Sequence, residues 1–267
     1  MRRLLGLAAA AIACLFSAMP VGAITNGVPD GNAHPQVGVV VAEFHGGRHY
    51  GCSGTLLSPT LFLLAAHCDL SFLQPTGLWV YFNPTLSDPN TIPAGDLHAG
   101  TFVADPEFQP NPGRKDAGLD SHDIAVILLG SPLTGITPAS LPPAGLLDQL
   151  ASKNGLHDAV FTNVGYGASG FSQGGGPPEP EFSGLRADSA SSFMSLENAY
   201  LRLSENQATG NGGTCLFDSG GPQFLGGSNM LVSITVDGDQ YCTALDVNYR
   251  LDTPSARSFL STYVLLP

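Results

Sequence analysis

Short apolar runs of strand length recur along the chain, with turn-forming residues between them. The clearest are "VGVVVAEF" (37–44), "LFLLAAHC" (61–68), "LWVYF" (78–82), "IAVILL" (124–129), "AVFTNVGYG" (159–167), "YLRLS" (200–204) and "MLVSITV" (230–236). Gly, Pro, Asn or Asp bounds most of them, which predicts strands. A helical period appears only at the end, in "TPSARSFLSTYVLL" (253–266), where Thr253 is a cap and Pro254 holds the first helical position. The pattern predicts an all-β chain of barrels or sandwiches with one C-terminal helix. The proline-rich "SPLTGITPASLPP" (131–143) is a crossing between two halves of similar size. Residues 168–184 are too rich in Gly and Pro for a packed element and predict a mobile surface loop.

The 267 residues, with 33 Gly and 21 Pro, suit one large all-β unit or two smaller ones. Arg2 and Arg3, an apolar run from Leu4 to about Ala18, and Val21 and Ala23 at the end of "PVGA" predict a secretory signal over residues 1–23. The run is too short for a membrane span. A lipoprotein box at Cys14 is the rival reading, and it lacks the leading Leu. Ten basic residues face 22 acidic ones; without Arg2 and Arg3 the balance is 8 against 22, or −14. So acidic a chain repels nucleic acid and anionic membranes. The expectation is an exported monomer, acting on protein or peptide, off the membrane once the signal is removed.

Cys52, Cys68, Cys215 and Cys242 remain outside the signal, an even count that points to two disulfides in any of three pairings. There is no CxxC, no HExxH and no regular calcium-loop spacing in residues 83–96, so no metal or other cofactor is expected.

A serine hydroxyl needs a base, a carboxylate to orient that base, and donors for the oxyanion that forms. His67, in "LLAAHC", ends a strand-like run beside Cys68. Asp123, in "SHDIAVILL", stands directly before a buried strand pattern. Ser219 lies in "TCLFDSGGP". In this order "ITNGV", "AAHC", "HDIAVILL" and "DSGGP" resemble the chymotrypsin/trypsin family of serine endopeptidases, over essentially the whole chain after residue 23. The His…Asp…Ser order is that of this family.

The resemblance implies two antiparallel six-stranded β-barrels with a C-terminal helix, here residues 24–140 and 141–267. It implies His67 as base and acid, Asp123 as orienter, Ser219 as nucleophile, the N–H groups of Phe217 and Ser219 as oxyanion hole, and bridges Cys52–Cys68 and Cys215–Cys242. It also implies that a freed α-amino group at Ile24 pairs with Asp218. Because Ile24 follows the predicted signal cleavage site, signal removal would create that terminus directly.

Departures accompany the match. Phe217 replaces a Gly. Val236 replaces a Ser that helps hold the triad carboxylate, and Asp237 replaces a Trp, while Gly238 keeps the pocket entrance open. The pocket floor falls on Gly213 and Thr214, without the Asp expected for Arg/Lys cleavage. Asp246 either reaches that floor from another side or lies in a surface turn, and uncharged side chains are expected at the cleaved position. A weakly catalytic or inactive homologue that binds a partner is the alternative, and an esterase using the same machinery is a third.

Overall fold

The computed structural model describes residues 23–110, 119–172 and 174–267. The expected signal, Ala23 apart, lies outside the described residues. The elements, in chain order, are β1 (Val28–Pro29), β2 (Val37–Phe44), β3 (Gly47–Ser58), β4 (Leu61–Leu64), β5 (Gly77–Tyr81), β6 (His98–Ala104), β7 (Ala125–Leu129), α1 (Leu146–Ser152), β8 (Val160–Gly165), β9 (Gly170–Phe171), β10 (Pro180–Glu181), β11 (Ala187–Leu196), β12 (Tyr200–Ser204), β13 (Pro222–Leu225), β14 (Leu231–Gly238), β15 (Leu245–Arg250) and α2 (Pro254–Leu260).

Two antiparallel six-stranded barrels result. The first runs β2-β3-β4-β7-β6-β5 and closes by pairing β5 with β2. The second runs β11-β12-β15-β14-β13-β8 and closes through β8 and β11, with β1 added at the edge of β11. This is the fold expected, including the C-terminal helix. Thr253 caps α2, its hydroxyl accepting from the Ala256 amide at 3.3 Å. The helix stops at Leu260, short of the apolar run, because Tyr263 N–H turns back to the Leu260 carbonyl in a tighter turn.

The chain buries both faces of β2, six consecutive residues from Val37 to Ala42. One apolar cluster joins the barrels, from Val39, Leu63 and Ile127 to Val164, Phe224, Ile234 and Tyr249. A second, around Phe161, Leu201, Leu203 and Val232, fills the C-terminal barrel and takes in Leu147 of α1. Burying each such side chain contributes about 1.5–3 kcal/mol.

A buried cation also crosses between the halves. Arg186 leads into β11, yet its guanidinium donates to Asp30 Oδ2 at 2.7 Å, the Val37 carbonyl at 3.0 Å, the Phe82 carbonyl at 3.2 Å and the Gly31 carbonyl at 2.9 Å. Burial alone would raise the Asp30 pKa, but His34 and Arg186 outweigh it and hold the carboxyl below its usual value.

The bridges are Cys52–Cys68 and Cys215–Cys242. The first spans 16 residues, so Cys52→Ser with Cys68→Ser should lower stability by about 3 kcal/mol, read from urea unfolding. No helix among the described residues is long and apolar enough to cross a membrane. The 168–184 segment differs in detail from the loop expected, since β9 and β10 pair within it as a two-residue hairpin.

Candidate active site

Strand pairing brings His67 and Asp123 together. Strands β4 and β7 end with Leu64 opposite Ala125. Just beyond that last pair, β4 passes into one tight turn, Ala66–Cys68, with Ala66 and Cys68 buried. The bridge to Cys52 ties this turn to β3, while the His67 side chain stays 33% exposed. On the other strand His122 takes a left-handed conformation (φ 52°), and the next residue, Asp123, is 7% exposed. The Asp123 carboxylate accepts twice from His67, from the backbone N–H at 2.9 Å and from Nδ1 at 2.7 Å. The Nδ1 contact leaves Nε2 as the nitrogen without a hydrogen-bond partner among the described residues.

Burial opposes charge on this ring. The hydrogen bond and charge of Asp123, with a smaller contribution from Asp237, outweigh it and lift the pKa above the usual 6.5. Asp237 and Gly238 are exposed at the end of β14, past a register shift between Thr235 and Asp237, and Val236 packs against the main core.

The loop carrying Ser219 is wound around Asp218. The Asp218 carboxylate accepts from the backbone amides of Gly167 (2.7 Å) and Cys215 (3.0 Å). A Cβ on Gly165 would sit 2.0 Å from Oδ1, and one on Gly167 2.5 Å from Oδ2, which accounts for both glycines of "GYG". Burial pushes the Asp218 carboxyl up to about 7 against those amide bonds, and the Asp246 charge adds to the rise. Ile24 is not among the hydrogen-bond partners of Asp218; it is buried in a small cluster with Ala23 and Ala187, and Thr25 N–H bonds the Gly213 carbonyl at 2.9 Å.

Ser219 reaches the His67 turn through its backbone. Its carbonyl oxygen lies 3.8 Å from Cys68 Sγ. Gly220 (φ 78°) packs so closely that a Cβ there would meet Ser53 O at 2.7 Å and Ala65 N at 2.8 Å. The Ser219 hydroxyl makes no hydrogen bond to His67, and the Phe217 and Ser219 amides have no acceptor among the described residues. Serine–histidine contacts in unliganded enzymes are often long and tighten with substrate. Phe217 has φ 74°, a conformation that favours Gly; its half-exposed ring meets Phe182 edge-on at 5.5 Å, and its carbonyl accepts from Ser53 N–H and Oγ, both at 3.2 Å. Sequence reasoning passed over Ser53, because one small hydroxyl in a strand gives no pattern.

Among the remaining expected residues, Gly213 and Thr214 are buried, and Thr214 Oγ1 donates to Asp246 Oδ1 at 2.8 Å. Asp246 is fully buried in β15 and not in a surface turn. Glu205, missed in the sequence, stands against Gly213: a Cβ there would lie 2.3 Å from Glu205 Oε1. Among the described residues, the group of His, Cys and carboxylates close enough to hold a metal is Cys52, His67 and Cys68. Both its sulfurs are spent in the disulfide.

No family model matches the chain, and no curated protein matches it. Among solved structures, HL collagenase is similar over 91% of this chain and 100% of its own, with a TM-score of 0.64 and 16% identity. At that identity the likeness speaks to the fold alone, the two six-stranded barrels described above.

Proposed function

We propose that this chain is an exported serine endopeptidase of the chymotrypsin/trypsin type, hydrolysing peptide bonds through an acyl-enzyme on Ser219. The observation that carries the reading is the paired hydrogen bond from His67 to the buried Asp123, set beside a loop whose Phe217 and Ser219 amides are unengaged. In this reading His67 Nε2 takes the Ser219 proton as Oγ attacks the substrate carbonyl. The oxyanion is met by the two amides, and the proton passes to the leaving amine. Water then repeats the sequence to release the acid. Asp123 keeps Nδ1 protonated and compensates the imidazolium. After cleavage behind Ala23, the Ile24 ammonium would pair with Asp218, whose buried carboxylate has amide partners alone among the described residues. Two disulfides suit an oxidising, extracytoplasmic setting.

A fluorophosphonate probe tests the reading: Ser219 should be labelled, and His67→Ala should abolish labelling. A protein that stays unlabelled while folded favours the second reading, a non-catalytic relative that binds a partner. Phe217 in its strained conformation is what supports that alternative.

The pH profile gives a further check. kcat/KM should fall as pH drops through the raised His67 pKa, because only the neutral ring accepts the proton. Asp237→Asn removes a negative charge that favours the imidazolium, so the acid limb should move to lower pH. A limb that stays put would remove Asp237 from the electrostatics of the site.

A further inference from the structure

The segment that delivers Asp123 is gripped from the opposite barrel. Strand register places Tyr200 of β12 directly across from Tyr249 of β15. Directly opposed residues leave a sheet on the same face. Both rings enter the core that joins the barrels and meet edge-on at 6.1 Å. Their phenols end on Ser121 and Asp120, two and three residues before Asp123. The Tyr200 hydroxyl donates to Ser121 Oγ at 2.8 Å and accepts from the Ser121 N–H at 3.2 Å. The Tyr249 hydroxyl donates to Asp120 Oδ1 at 2.8 Å, and Ser255 of α2 donates to Asp120 Oδ2. Burial, with the Asp120 charge adding to it, raises both phenol pKas above the usual 10, so both stay protonated as donors.

The grip falls where the backbone needs one. His122 sits at φ 52°, and a strained residue persists only where its surroundings over-determine it. Its N–H donates to Asp120 Oδ1 at 2.9 Å, its Nδ1 meets Asp105 Oδ2 at 3.2 Å, and its Nε2 lies 3.4 Å from Glu107 Oε2. The next residue is Asp123, whose carboxylate accepts from His67 alone among the described residues. Those two bonds fix the pair internally. The direction in which the Asp123 side chain leaves the chain is set by the backbone at Ser121 and His122.

We propose that Asp120 and Tyr200 are positioning residues for the His67–Asp123 pair: from the C-terminal barrel they lock the left-handed turn at His122 and so aim the Asp123 carboxylate at the imidazole. Their effect on turnover rests on the peptidase reading above, whereas the aim itself can be measured without turnover. Asp120→Ala frees the His122 amide and leaves the Tyr249 and Ser255 hydroxyls without this acceptor. Asp120→Asn keeps an oxygen with two lone pairs for the His122 N–H and the Tyr249 hydroxyl, and its amide can donate to Ser255 Oγ. Tyr200→Phe keeps the ring against Tyr249 and removes the hydroxyl alone.

The first measurement is an NMR titration of the His67 ring in protein carrying Ser219→Ala. Asp123 and Asp237 are the charges that act on this ring. With Asp120→Ala or Tyr200→Phe added, the midpoint should fall by about one pH unit, because the Asp123 contact loosens while burial remains. Asp120→Asn should restore the midpoint, which separates aim from the charge of Asp120. The second measurement is peptide turnover with Ser219 in place. Asp120→Ala should lower kcat about 100-fold and Tyr200→Phe about tenfold, with KM within about twofold, and Asp120→Asn should recover most of kcat.

An unchanged midpoint in a folded Tyr200→Phe or Asp120→Ala protein overturns the proposal. So does a loss carried by KM, which would make these residues substrate contacts, or an Asp120→Asn protein as impaired as Asp120→Ala. Failure of all three variants to fold would assign the network to stability and also overturn it. Fluorophosphonate labelling of Ser219 reports separately on the peptidase reading. A midpoint that falls in a chain that is never labelled keeps the positioning and removes the enzyme; a labelled chain with a steady midpoint does the reverse.

Discussion

Ser219→Ala should lower kcat on a peptide substrate by about 10⁶-fold while leaving the fold intact. The side chain is partly exposed and its hydroxyl carries no structural hydrogen bond to His67, so its removal disturbs no packing. Catalysis by attack and proton transfer is lost as a unit. The double variant Ser219→Ala with His67→Ala should therefore be no slower than either single variant, within about threefold. A residual rate of about 10³-fold over uncatalysed hydrolysis should persist, since the Phe217 and Ser219 amides and the substrate contacts remain. Single-turnover kinetics on all three variants decide the matter. Additive losses would mean that the two residues serve separate steps, and a Ser219→Ala protein with ordinary turnover would refute the nucleophile assignment.

Arg186→Met should produce the largest loss of stability. The arginine side chain is fully buried, and its partner Asp30 has no exposed side-chain surface either. Removing the guanidinium leaves that carboxylate to His34 alone, and strips donors from the carbonyls of Gly31, Val37 and Phe82. Breaking one side of a buried pair costs about 3–5 kcal/mol. For a chain of this size that lowers Tm by roughly 6–20 °C. The Asp30 pKa is held below its unfolded value, so the pair contributes stability above pH of about 4 and loses it as pH falls through the folded pKa. The deficit of Arg186→Met should thus narrow in acid. Urea unfolding at pH 7 and pH 3 measures both effects, and a deficit under about 1 kcal/mol at pH 7 would show that the barrels hold together without this strap.

The parts of the fold that could be read in advance were those with apolar faces. Strand β2 coincides with "VGVVVAEF", and β12 with "YLRLS", because their residues are branched or aromatic and pack inward. Strand β11 was not legible. It reads ADSASSFMSL, and its inward positions include Ser189 and Ser191, whose hydroxyls are satisfied by Asn163 and by the Gly212 carbonyl. Small polar residues with buried partners leave no hydrophobic period. Helix α1 escaped for a related reason, since among its seven residues only Leu147 is buried. In the candidate site, the motifs "AAHC", "HDIAVILL" and "DSGGP", through the family resemblance they carry, pointed to His67, Asp123 and Ser219. Glu205 lies just past the end of an ordinary strand in no motif, and its place against the bare side of Gly213 shows only in three dimensions.

The buried segment at the start of the described chain bears on when the proposed cut behind Ala23 would have to be made. Ala23 and Ile24 have no exposed surface, and Ile24, a β-branched residue, is held at φ 74°. If the chain is cut behind Ala23 as proposed, that bond is out of an external cutter's reach once the barrels have closed, and the cut would have to fall on the nascent chain. The torsion about Ile24 is defined only while that bond exists. Cutting it would discharge about 1–3 kcal/mol of backbone tension, and the severed end would gain freedom to settle that the continuous chain never has.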